Sequence, residues 1–177
     1  LIKAPELPAT SLATYCYGYM FYGCTNLTAA PILPATTLVD YCYDSMFYGC
    51  TGLTIAPELP AMILGNSCYA DMFYGCTSLK LSTTLPATTL IAYCYFRMFY
   101  GCTNLTAAPE LPATTLATYC YYKMFYGCTS LKLSTTMTGI YDTSYRIPTS
   151  GTGTLAANAL TDMFLGTGGT FKGTPTI

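Results

Sequence analysis

The chain has no histidine and no tryptophan, and charged residues make up only 8% of its 177 positions. Without histidine, the side chain that most often moves protons near neutral pH is missing. A Ser or Cys nucleophile would need an unusual base. The few carboxylates are mostly not paired across the sequence, so the chain reads as non-catalytic. Seven Lys and Arg against eight Asp and Glu leave a net charge of −1. That is no electrostatic footprint for nucleic acid or an anionic membrane. Long apolar runs are absent too. Hydrophobic residues total 52% but recur singly among Thr, Gly and Tyr, so no stretch is long enough to span a bilayer. The same content is too high for disorder. There is no initiator methionine and no leader, and Leu1 falls on the same repeat position as Leu27. The chain is therefore expected to be a segment of a longer protein, and missing targeting signals say nothing of compartment.

What is present is a repeat. Cys16-Tyr17-Gly18-Tyr19-Met20-Phe21-Tyr22-Gly23-Cys24-Thr25 returns from Cys42, Cys68, Cys94 and Cys120, always after 26 residues. Laid out at that period, Leu12, Leu38, Leu64, Leu90 and Leu116 form one column. Cys16, Cys42, Cys68, Cys94 and Cys120 form the next. Met20, Met46, Met72, Met98 and Met124 follow, each before a Phe such as Phe21. Cys24, Cys50, Cys76, Cys102 and Cys128 make another column, and Leu27 opens one that runs to Leu131. A unit this short cannot bury its own apolar side, but stacked on copies of itself it can. These columns are the expected core.

Within a unit, Leu12, Cys16, Met20 and Cys24 lie four apart, with Tyr15 at the i+3 place, which is helical spacing. An unbroken helix would turn the constant Phe21 away from Leu12. It would also bury a column that reads Tyr19, Ser45, Asp71, Arg97 and Lys123. The expectation is a short helix over about 10–17, then a tighter turn closed by Gly23 at positive φ. The segment 27–34 should be extended, with a short parallel strand from Leu27 whose ladder stops at Pro31 or passes through an irregular position there. Segments 80–84 and 132–136 lack that proline and should carry longer strands. The period holds over 1–137. Residues 138–157 read as a loop or insertion rich in Thr, Gly and Ser. Residues 158–177 echo the motif, with Ala159 and Thr167 in place of the cysteines, as a degenerate terminal repeat.

Three readings of the ten cysteines can be weighed. Zinc favours pairs two to four apart, whereas the spacings here are 8 and 18. A bridge from Cys16 to Cys24 would cross roughly 12 Å of helix, beyond the usual limit of about 7 Å. A bridge between stacked cysteines of one column stays open, though an odd number leaves one unpaired. The favoured reading is a small buried hydrophobe in a size-limited slot. Asp40, Asp44 and Asp71 could gather oxygens for calcium but lie in no EF-hand or Gly-Asp loop. No metal and no cofactor are expected.

The columns that vary on a fixed frame are more informative. Between Cys-Tyr and Met-Phe stand Gly18-Tyr19, Asp44-Ser45, Ala70-Asp71, Phe96-Arg97 and Tyr122-Lys123. Before the first cysteine stand Thr14, Asp40, Asn66, Ala92 and Thr118. A solvated polar face is the plain reading. Tyr19, Phe96 and Tyr122 on the same strip give it the composition of a recognition surface. The constant tyrosines after Phe21 and after Cys16 read as packing with the hydroxyl at the edge rather than as a sugar platform.

Met20-Phe21-Tyr22-Gly23-Cys24, then Leu27, then Leu33-Pro34, with Cys42 before the next Met-Phe, resembles the BspA-like branch of the leucine-rich repeats. The resemblance covers about 1–137 and weakly the tail. It implies a right-handed solenoid with short parallel strands on one side and short helical or 3-10 turns on the other. It implies a bacterial surface or secreted protein, or a virion surface, that adheres to protein or glycan. It implies no catalytic residue. The other class of reading is a structural element of a surface or virion fibre or stalk, with self-assembly or a larger parent chain.

Overall fold

The computed structural model describes residues 1–132, 153–169 and 175. The strand expected over 132–136 lies outside these residues apart from Lys132, as does most of the expected loop at 138–157.

From Thr14 to Gly23 the main chain is a train of tight turns. The amide of Cys16 donates to the carbonyl of Ala13, Gly18 to Tyr15, Met20 to Tyr17, Tyr22 to Tyr19 and Cys24 to Phe21. Each closure spans three residues, the mark of a β-turn. The amides in between leave the unit. Tyr15 donates to Asp40, Tyr17 to Cys42, Tyr19 to Asp44, Phe21 to Met46 and Gly23 to Tyr48, at 2.7–3.3 Å. One set of amides thus folds the unit and the alternate set ties it to the next. The geometry demands positive φ at every fourth residue: Tyr15 at 59°, Tyr19 at 58° and Gly23 at 67°. Positive φ at the third residue of a turn is the type II signature. For a residue with a side chain it costs roughly 1–2 kcal/mol, which the inter-unit bonds offset.

This corrects the helix expected over 10–17. No helix occurs among the described residues. A helix would spend every amide inside its own turns and leave none for the neighbouring unit. Two successive β-turns also advance four residues, so the spacing was right and the element was not. Tyr15, expected among the inward residues, sits at positive φ with its side chain 53% exposed.

The opposite side carries single-residue parallel pairings rather than strands: Lys3 with Ala29, Thr37 with Ile63, Ile55 with Leu81, and Thr89 with Thr115, which also pairs with Thr154. The strand expected at Leu27 and the longer one at 80–84 do not form. Although 80–84 lacks proline, its neighbours at the same repeat position present Pro57 and Pro109. Neither has an N–H to donate, so the ladder cannot extend past them.

The core lies between the turn train and the proline side. Cys42, Met46, Phe47, Cys50 and Leu53 are fully buried, as are their equivalents in the next three units. The Cys50 thiol donates to the Phe21 carbonyl at 3.0 Å, and Cys76, Cys102 and Cys128 repeat the contact on Phe47, Phe73 and Phe99. The slot thus asks for a small apolar side chain with a weak donor. All ten cysteines are free thiols. The first unit departs from the expected core: Cys16 is exposed, Met20 is 43% exposed, and Leu12 and Cys24 are half-buried. No described residue stacks on that side of them. At the other end, Tyr119, Tyr121, Lys123, Phe125 and Gly127 donate to carbonyls of 157–165. Ala159 and Thr167 fill the two cysteine slots there and are buried.

Gly65 marks one of the close approaches between units. A Cβ there would sit 2.6 Å from both the Asp40 amide nitrogen and the Val39 carbonyl oxygen. Backbone atoms cannot rotate aside, so Gly65→Ala should lower stability by about 1–3 kcal/mol, as overpacking does. The urea midpoint measures it, and an unchanged midpoint would contradict the close stacking of these units.

Candidate recognition surface

The turn train turns its outer side to solvent, and its columns build a banded face. Tyr22, Tyr48, Tyr74, Tyr100 and Tyr126 stack along one edge with ring centroids 4.5–4.7 Å apart and planes within 11°. Tyr15 on Tyr41, at 4.5 Å, and Tyr93 on Tyr119, at 5.0 Å, form a second aromatic column, interrupted by Ser67. The variable pairs lie between these two rails.

The sequence-derived candidates divide. Thr14, Tyr19 and Asp40 are exposed. Gly18, Asn66, Phe96, Arg97, Tyr122 and Lys123 are half-buried. Asp44, Ser45, Ala70 and Asp71 are buried, at 9%, 4%, 7% and 8% exposure. These four were expected on the solvated strip, but their short side chains sink between larger neighbours. Arg97 lies over Asp71, donating to both carboxylate oxygens at 2.9 and 2.8 Å, and its guanidinium sits 4.7 Å from the Phe96 ring. Burial pushes the Asp71 carboxyl up, and Arg97 offsets part of that. Burial also raises Asp44, against the Ser45 hydroxyl that donates to it at 3.0 Å. Phe96 stacks on Tyr122 at 5.2 Å, and Lys123 lies 5.2 Å from the Tyr122 ring and 3.7 Å from Asp162. The first half of the strip is therefore small and acidic, and the second half is aromatic and basic.

The sequence pattern of the BspA type leucine-rich repeat region matches residues 3–71 and 58–147 in six copies. The chain belongs to the BspA-type leucine-rich repeat family. No curated protein matches the chain. Among solved structures, a leucine-rich repeat protein from Bacteroides ovatus ATCC 8483 is 27% identical over 66% of this chain, with a TM-score of 0.41. The match spans 27% of that protein's length.

On the far side of this BspA-type array, the proline ridges splay where the ladder stops. They leave grooves of about 370 Å³ between Pro5–Pro8 and Ala29–Pro34, and about 420 Å³ between Ala30–Pro34 and Pro57–Pro60. Among the described residues, no group of His, Cys, Asp and Glu is placed to hold a metal ion, and no helix is long and apolar enough to cross a membrane. Sequence reasoning missed the rail through Tyr15, Tyr41, Tyr93 and Tyr119. Its signal was present as four tyrosines in five units, but a helical wheel placed that column inward.

Proposed function

We propose that this repeat array is a non-catalytic binding scaffold acting at a cell surface or in the extracellular space, and that its turn face recognises protein or glycan. The observation that carries the reading is the division of labour in the turn train. Main-chain bonds hold the frame, so the side chains between the tyrosine rails vary in size and charge without disturbing it. Aromatic rings beside charged groups give large contact area with little conformational entropy to lose. Under this reading residues 1–137 present the face, 138–157 connect, and 158–177 close the array.

The frame itself supplies tolerated replacements. Ser67 stands in the column of Tyr15 and Tyr93, Ser45 in that of Tyr19, and Ala70 in that of Phe96. Changing Tyr15, Tyr19 and Tyr93 to Ser and Phe96 to Ala together should abolish binding to a panel of immobilised glycans and matrix proteins. The array should remain folded by circular dichroism. Equal binding by the variant, or no binding by the parent, would contradict the reading.

The second reading is a structural element of a surface or virion fibre, in which the stacking of units is itself the function. Rods growing end to end under the electron microscope would support it over recognition.

A further inference from the structure

We propose that the column Tyr22, Tyr48, Tyr74, Tyr100 and Tyr126 is a site of oxidative cross-linking. A haem peroxidase with hydrogen peroxide, or another one-electron oxidant, would join neighbouring rings into dityrosine and staple adjacent units. This proposal does not rest on the recognition reading. It rests on spacing, access and an internal contrast.

The rings of this column are 4.5–4.7 Å apart and close to parallel. Each ring hangs from an equivalent backbone position, so corresponding carbons of neighbouring rings lie nearly as close as the centroids do. Tyr22 is 53% exposed and the other four are half-buried, so an oxidant reaches their edges. Each is followed by a glycine at positive φ, from Gly23 to Gly127. The inner column, Tyr43, Tyr69, Tyr95 and Tyr121, is built from the same residue in the same repeat. There the spacing is 5.7–5.8 Å, and the rings are sealed in the close-packed core at 1% exposure. The two columns differ in distance and access, and not in chemistry.

Each of two phenols loses one electron and one proton, leaving a phenoxyl radical with spin at its ortho carbons. Two ortho carbons form one C–C bond. Each then releases its hydrogen as a proton, and each oxygen regains one. One hydrogen peroxide accepts the two electrons and two protons and becomes two waters. Thiols compete as one-electron reductants, and eight of the ten are buried, while oxidation of the exposed Met20 and Met62 adds oxygen and is told apart by mass. Only Cys16 and Cys24 need blocking beforehand.

After alkylation of those two thiols, the native protein is treated with a haem peroxidase and hydrogen peroxide, and the monomer is isolated. The proposal expects dityrosine fluorescence in the monomer, with a mass loss of two hydrogens per bond. Peptide mapping should join neighbours such as Tyr22 with Tyr48 and Tyr74 with Tyr100. Changing Tyr48 and Tyr100 to Phe keeps the ring packing but leaves no two adjacent phenols in the column, and links within it should vanish. Absence of dityrosine from the monomer would overturn the proposal. So would equal yield in the inner column, or links in this column that survive the double change.

Discussion

Raising the pH above about 9 should unfold the protein within about one to two pH units, because its buried thiols cannot ionise in place. In an unfolded chain a thiol titrates near about 8.5. In the fold, burial pushes Cys50 and Cys120 to about 11 and Cys42 and Cys128 to about 12. It holds Cys68, Cys76, Cys94 and Cys102 above their usual range as well. Below the unfolded value every thiol is protonated in both states, and this contribution to stability is fully present. Between the unfolded and folded values only the unfolded chain gives up the proton, so ionisation draws the equilibrium toward unfolding. Each thiol then removes about 1.4 kcal/mol per pH unit. Eight acting together exhaust a typical domain stability of about 5–15 kcal/mol within about one to two units. Urea unfolding in the presence of reductant, followed from pH 7 to pH 11, measures the slope. A flat profile would mean that the thiols are bridged or solvated.

Met72→Ala should lower the unfolding free energy by about 2–5 kcal/mol, the usual cost of emptying a core site that cannot collapse. Met72 has no exposed surface and lies in its column between the equally buried Met46 and Met98. The main chain above and below is pinned, with Phe47 donating to the Met72 carbonyl and Phe73 to that of Met98, both at 2.9 Å. Little can move in to fill the gap. Met20→Ala is the control, because the same column is 43% exposed in the first unit, and its loss should cost clearly less. A change below about 0.5 kcal/mol at Met72, a surface value, would place the column outside the core.

These two experiments probe the part of the fold that the sequence displays most openly. The period, the cysteine and methionine columns and the terminal echo at Met163-Phe164 are written in residue identity. The element that carries them was not legible, because a helix and a train of β-turns both bring every fourth side chain to one face. The deciding feature is positive φ at Tyr15, Tyr19 and their equivalents. Those places are filled by Tyr, Ser, Asp, Arg, Lys and Asn. Only the invariant glycines, Gly23 among them, announce such a conformation locally. The rest is imposed by the hydrogen bonds to the next unit, which no single repeat reveals.

The candidate surface was half legible for the same reason. Tyr19, Phe96, Tyr122 and Lys123 do lie on the face between the rails, but Asp71, expected on the solvated strip, is covered by Arg97 one unit on. A column read down one position shows composition. Contacts across units need the register and the outward direction of each turn, and these follow from the alternating bonds.

The account stands on equivalent residues touching down the array through those bonds. The most direct measurement is a nuclear Overhauser spectrum of protein labelled only at the methionine methyl groups. Cross-peaks should walk from Met20 to Met46, Met72, Met98, Met124 and on to Met163, with each methyl seeing its neighbours on either side in the column and none further away. A Met46 methyl without cross-peaks to both Met20 and Met72 would contradict the stacked register.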